Sequence, residues 1–317
     1  MADFTTTAPG QIASSGDRKA LFLKLFTGEV LQTYQTECVT LPRIRTRTIS
    51  NGKSAQFIVT GRVSGSYHTP GTEINGQAVK NTEKIINVDD LFVVPSFHAN
   101  IDEAMSQWDT RAPISKEHGQ ALARKMDSHN LQLLALAARA SANISGTTYS
   151  GTVLAKGATV ATSASVFLAA VEQAAQALDE KDVGPDGRTL ILRPAQYYLL
   201  LADATPKNAN KFVGGTGNVS TGEVGNYMGF TFVKSNRLPS TNISSETGTN
   251  NTYNGDFSDT VALAFVNEAI ARVNLIGVKT ETEYSVRHQG DLIVSKYASG
   301  AGILRPEGAV EITKTAP

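Results

Sequence analysis

Pro42-Arg43-Ile44-Arg45-Thr46-Arg47-Thr48-Ile49-Ser50-Asn51-Gly52-Lys53-Ser54-Ala55-Gln56-Phe57 is the stretch on which the fold turns. Its side chains change character at every second residue, which is the period of a strand and not of a helix. Asn51-Gly52 supplies a turn, and the alternation continues to about Thr82 through Thr69-Pro70-Gly71 and Asn75-Gly76. The reading is one long hairpin over residues 42–82. Arg43, Arg45 and Arg47 share one face of its first strand and Ile44, Thr46 and Thr48 the other, with Lys53 and Arg62 adding charge nearby. So few large apolar side chains cannot bury themselves, because a lone two-stranded hairpin is marginal in water. The hairpin needs a neighbour to lie on.

Outward from the hairpin, the composition narrows the function classes. At 317 residues the chain can bury a sizeable core as one large domain or two closely joined ones. Its 29 basic and 29 acidic residues balance, which argues against a dedicated nucleic-acid binder; any DNA contact is expected to be nonspecific. A charged fraction of 18% fits a surface largely covered by neighbours. The single cysteine, Cys38, excludes an internal disulfide and a cysteine-built zinc site within one chain, and points to a reducing compartment. The N-terminus has neither a basic start nor an apolar run, and no stretch is apolar enough to span a membrane, so neither secretion by a signal peptide nor a membrane partner is expected.

Along the rest of the chain, residues 1–16 lack periodicity and read as an arm ordered only against a partner. Asp17 is placed to cap a helix with Phe22, Phe26, Val30 and Tyr34 at helical spacing and Leu21 and Leu25 alongside; Gly28 costs it about 1 kcal/mol against Ala. Residues 84–98 read as a strand pair or one bent strand, which Pro95 ends or marks as an edge. Pro113 opens the longest helical pattern, to about Ala140, with Leu122, Met126, Leu133, Leu136 and Ala140 on one stripe and Lys116, Glu117, Arg124, Lys125 and Asp127 mainly elsewhere. A polar stretch, 145–162, leads into an alternating section: a helix over 165–178, a turn at Gly184-Pro185-Asp186-Gly187, a strand at 190–192, a helix opened by Pro194, and strands near 230–233 and 261–265. The loops at 207–225 and 235–259 are rich in Gly, Asn, Ser and Thr and longer than ordinary connections, and strands at 276–286, 292–297 and 309–312 close the chain.

Catalytic and ligand motifs fail on context. Gly52-Lys53-Ser54 resembles the end of a phosphate loop, but Arg47 stands where that motif needs Gly and a strand follows instead of a helix. Gly214-Gly215-Thr216-Gly217 lacks the third Gly of a dinucleotide fingerprint. His68, His98, His118, His129 and His288 make no metal-spaced pair, and His118 and His129 read as helix-surface or core residues. The acidic pairs and clusters at Asp89-Asp90, Asp102-Glu103 and Asp179-Glu180-Asp182 are better read as landing sites for arginines of a neighbouring subunit than as cation ligands. No serine has a nucleophile-elbow context. No cofactor, metal or catalytic residue is expected.

Five strings in fixed order carry a resemblance over about Asp17 to Ile312: Leu21-Phe22-Leu23-Lys24, Gly28-Glu29-Val30-Leu31, Gly52-Lys53-Ser54-Ala55-Gln56-Phe57, Tyr227-Met228-Gly229-Phe230 and Leu304-Arg305-Pro306-Glu307. In these the chain resembles the major capsid proteins of T-seven-like short-tailed phages. The resemblance implies an α+β chain with the Hong Kong 97-type capsid fold: an N-terminal arm and first helix (1–41), an extended loop (42–83) reaching across an adjacent subunit, a peripheral domain with a long spine helix (84–162, completed by 275–317) and an axial domain (163–274). It implies a virion protein that self-assembles as hexamers and pentamers, usually with T=7 geometry, around double-stranded DNA in the bacterial cytoplasm. A scaffolding protein, a portal at one vertex and a decoration protein are the further partners implied. On this reading Arg43, Arg45, Arg47, Lys53 and Arg62 set intersubunit register, Phe57 anchors, and Gly119 is a candidate bend in the spine helix during shell expansion. The rivals are a cargo-storing encapsulin shell of the same fold and a soluble α/β enzyme.

Overall fold

The computed structural model describes residues 20–99, 101, 111–202 and 226–315; the arm, the Asp17 cap, Asp102-Glu103 and the loop at 207–225 lie outside them. Four helices are described: α1 (Ala20–Glu37), α2 (Arg111–Arg139), α3 (Ala164–Asp179) and α4 (Pro194–Ala202). The strands are β1 (Arg45–Thr48), β2 (Ser54–Thr60), β3 (Asn81–Asn87), β4 (Phe92–Ala99), β5 (Thr152–Ala155), β6 (Thr189–Leu192), β7 (Thr231–Lys234), β8 (Asn242–Ile243), β9 (Gly255–Asp256), β10 (Thr260–Phe265), β11 (Ile270–Ser285), β12 (Gly290–Ile303) and β13 (Ala309–Thr313). They divide into two compact units, each assembled from separate pieces of chain, and α2, β11 and β12 contribute to both.

Of the described residues, the smaller unit holds 20–38, 91–99, 101, 111–126 and 276–298. The helical spacing read from Phe26, Val30 and Tyr34 is its core: all three are buried. Tyr34 donates to Met126 Sδ at 2.7 Å, and Phe26 meets the His118 ring edge-on at 5.7 Å. Leu25, placed beside that stripe by sequence, faces solvent instead. β4 pairs antiparallel with β12 at an edge of its sheet, and Pro95 sits opposite Val294 within it, tolerable because an edge strand does not need every N–H. The 84–98 segment is thus two strands, β3 and β4, in different sheets.

The larger unit holds residues 39–90, 127–275 and 299–317. Its centre is a five-stranded sheet in the order β5-β13-β10-β6-β7. Leu190, Leu192, Ala262, Ala264, Val310 and Ile312 pack with Phe167, Val171 and Leu178 of α3. The alternate residues Ile191, Leu263 and Phe265 pack with Leu131, Leu134 and Ala138 of α2. Covered on both faces, these strands are apolar at nearly every position. The second half of α2 is likewise buried around most of its circumference, where a single stripe was expected. β5 arises within the polar 145–162 stretch because it runs parallel to β13.

Three expectations are corrected here. β1 does not pair with β2; it runs parallel to β11, with Arg45 opposite Ala271 and Thr48 opposite Asn274. Arg43 belongs to a short 3-10 turn (Leu41–Arg43) and so shares no strand face with Arg45 and Arg47. Asp127, assigned to the polar side of α2, is fully buried. It accepts from Val39 N, Thr40 N and Thr40 Oγ1 and pairs with Arg237 Nη1 at 2.5 Å. Four donors converging on one carboxylate supply what water otherwise would.

Candidate assembly interface

The hairpin itself is β2 against β3, from Ser54 opposite Asn87 to Thr60 opposite Asn81. Its inner face, Ala55, Phe57, Val59 and Ile86, is buried against its own chain. The outer face is not: Ile58 is 75% exposed and Ile85 59%. Between the strands, residues 61–80 carry Val63, Tyr67, Ile74 and Val79, all exposed, and Ile74 reaches 77%. Scattered surface apolar residues are ordinary, but six of the exposed large ones fall within this one hairpin.

The hairpin is rooted firmly where β3 ends. Asp89 accepts from the backbone N–H groups of Asn250 and Asn251 and from Tyr253 Oη at 2.7 Å. Asn250 and Asn251 donate in turn to the carbonyls of Val88 and Asn87, at 2.7 and 2.8 Å. Burial, and then the nearby Asp89 carboxylate, push the Tyr253 hydroxyl well above its ordinary pKa, keeping it a proton donor. Beneath, a side chain on Gly300 would run into the Asn87 carbonyl oxygen, and one on Gly302 would sit 2.8 Å from Ile86. The pair Gly300-x-Gly302 inside a strand is the sequence signal that could have announced this close approach. Asp89 therefore serves its own chain, where a neighbour's arginine was expected.

The cations named from sequence are distributed around this frame. The guanidinium carbons of Arg45 and Arg47 each lie 5.8 Å from the Phe57 ring centroid, and Arg47 Nη1 donates to Gln56 O at 2.8 Å. Phe57 is only 5% exposed, so the arginines cap it. Arg45, Arg47 and Lys53 remain exposed, and Arg43 donates to Val39 O at 2.6 Å. Arg62 turns toward its own chain, pairing with Asp182 and the Lys181 carbonyl with its guanidinium 4.8 Å from the Tyr149 ring. Gly119 lies in unbroken helix, where a Cβ would come 2.7 Å from Thr33 Cβ and 2.8 Å from Val30 O; a side chain there would push α1 and α2 apart. His118 is a core residue with Nδ1 2.9 Å from Ser295 Oγ, its pKa lowered by burial and then by His98. Among the described residues no His, Cys, Asp and Glu cluster could hold a metal ion.

A discontinuous α+β body carrying a projecting hairpin and a long helix defines the class: the fold is that of tailed-phage capsid shells, the Hong Kong 97-type fold. The capsid structure of cyanophage P-SCSP1u superimposes with a TM-score of 0.76 at 34% identity, covering 98% of this chain and 99% of that one. The major capsid protein of Enterobacteria phage T3 is 31% identical over 96% of this chain and 94% of its own length, and that of Escherichia phage T7 is 30% identical over 94% and 93%. The family described as "Gp10A-like: Major capsid protein" matches residues 56–313. This chain belongs to that family: it is a major capsid protein of a tailed phage, a structural protein of the virion and not an enzyme. The match favours a phage shell over a cargo-storing compartment.

Proposed function

We propose that the chain assembles as hexamers and pentamers into an icosahedral head of T=7 geometry around double-stranded DNA, with the hairpin of each subunit lying across the next. The observation that carries this is the run of exposed large apolar side chains along the hairpin: Ile58, Val63, Tyr67, Ile74, Val79 and Ile85. Identical head-to-tail contacts close into rings when the rotation permits, and many weak contacts made together hold a shell. The arm (1–16) and hairpin (42–82) supply intersubunit area, 163–274 surrounds the capsomer axis, and 84–162 with 275–317 joins capsomers. Arg43, Arg45, Arg47 and Lys53 set register against carboxylates of the neighbour, with Phe57 stiffening the strand beneath them. Assembly takes place in the bacterial cytoplasm around a scaffolding protein, with a portal at one vertex, nonspecific DNA contact inside and room for a decoration protein outside. Expansion moves the domains as rigid bodies, with α2 yielding at Gly119, which has no side chain to interlock.

Electron microscopy of the full chain, expressed alone and with its scaffolding protein, tests this reading. Closed shells with hexamer and pentamer clusters, in which density for residues 61–80 crosses a neighbour, are expected. Shells in which that density folds back on its own subunit would overturn the hairpin's part, and small monodisperse particles in both preparations would overturn the whole.

A further inference from the structure

Where β3 ends, the hairpin is held by buried or backbone-directed contacts. Where β2 ends, it is held to the body by one long backbone bond, Arg62 N to Thr147 O at 3.4 Å, and by the Arg62 side chain. Gly61 N donates to Lys80 O at 2.8 Å, and a Cβ on Gly61 would lie 2.6 Å from Thr147 Oγ1, so the neck rests directly on the 147–149 turn. The next residue, Arg62, crosses the Tyr149 ring and reaches Asp182 and the Lys181 carbonyl. The receiving turn is built for this. It follows α3, whose C-terminal carbonyls favour a cation, and Asp182 has φ +54°, a left-handed conformation that Asp tolerates better than most residues. Lys181 Nζ ties the same turn to Ser150 O at 2.6 Å and to Thr152 Oγ1. Both partners are accessible, with side-chain exposures of 44% for Arg62 and 73% for Asp182. An ion pair this exposed contributes little to global stability, yet it lies at the root of a long lever.

We propose that Arg62 and Asp182 are positioning residues: an intrachain latch that fixes the direction in which the hairpin leaves the body and thereby the curvature of the shell. Arg62 then acts through the hairpin and not as a grip on the neighbour, and the geometric consequence rests on the reading that the hairpin crosses an adjacent subunit. A small change of angle at the neck is multiplied over residues 63–79 before they meet a partner. The Asp89, Asn251 and Tyr253 contacts lie at the opposite end of the ladder, where Ser54 faces Asn87, and stay intact, so only the Thr60–Asn81 end, from which residues 61–80 leave, is released.

Two readouts separate the latch from that underlying reading. On full-length unassembled subunits, hydrogen exchange in Arg62→Ala and in Asp182→Asn is expected to quicken about tenfold over 58–62 and 79–82, with 86–90 and the unfolding midpoint unchanged. Arg62→Lys, which keeps the charge but not the fork or the ring contact, is expected to fall between. Unchanged exchange at the neck would overturn the latch whatever the shells look like. Microscopy of the same variants with the scaffolding protein is expected to show mixed shell diameters or open spirals, and Arg62→Asp combined with Asp182→Arg is expected to narrow that distribution again. A loosened neck with shells of a single, normal diameter would overturn the link from latch to curvature and leave the hairpin's crossing untouched. Defects in Arg62→Ala shells with normal shells from Asp182→Asn would overturn it too, by placing Arg62 on the neighbour.

Discussion

The hairpin β2–β3 and the five-stranded sheet are both β structure, and they solve opposite problems. Every position of β6, β10 and β13 is buried, and a helix covers each face. β2 instead alternates exposed and buried along its length, with one face closed on its own chain and the other open. Even the charges differ. Glu311 in β13 is sealed in, accepting from Arg139 Nε and Nη2 at 2.7 and 2.8 Å and from Thr260 Oγ1 at 2.6 Å, whereas Arg45 and Arg47 keep their faces in solvent. The sheet is buried on both faces within one subunit, while the hairpin leaves one face exposed, the face proposed to meet a neighbour. Stability and assembly should therefore separate by region under mutation.

The largest loss of stability is expected in the sheet. Glu311→Ala leaves the half-buried Arg139 and the buried Thr260 without their carboxylate and should cost about 3–5 kcal/mol, read as a lowered denaturant midpoint of the unassembled subunit. A loss below about 1 kcal/mol would mean that the sheet is not closed as described. At the junction of the two regions, Gly300→Ala drives a methyl into the Asn87 carbonyl and should cost about 1–3 kcal/mol. The same measurement with Gly302→Ala, whose clash is with a side chain, should give less.

In the smaller unit, His118 supplies a pH-dependent contrast. Its folded pKa is lowered by burial, so the unfolded chain binds the proton more readily. The contribution from neutral His118 is present above the ordinary imidazole value of about 6.5 and is lost as pH falls through it. Urea midpoints should decline in that window, and His118→Gln should flatten the decline; a curve of unchanged steepness would remove His118 as its source. The smallest stability effect belongs to the hairpin tip. Replacing residues 63–79 by a short Asn-Gly turn should shift the midpoint by less than about 1 kcal/mol while abolishing closed shells. Shells that still close would break the distinction between the regions.

α2 and α3 were legible to within two residues at each end, α3 because it buries one face and repeats its apolar residues with the helical period. The hairpin was legible as a pattern but not in its pairing. Residues 45–48 alternate as well beside β11 as they would beside β2, since periodicity reports which side chains share a face and is silent about the neighbour. β5 was invisible for a related reason: its short polar surroundings carry no period, and β13, more than 150 residues away, calls it into the sheet. Arg62 was legible only as a charge near the hairpin, because its carboxylate and its ring, Asp182 and Tyr149, come from distant turns.

By itself, then, the sequence determined the family, the helices, the hairpin with too little apolar surface to stand alone, and hence a protein that works beside copies of itself. The family rests on the resemblance of five strings in fixed order; the helices and the hairpin are properties of local spacing and composition. The tertiary structure decided where charge is buried and where it is offered. Asp127 looks like any solvated helix aspartate until Arg237, 110 residues away, meets it. Whether a polar group belongs inside depends on the donors around it, and those arrive only when the chain has folded.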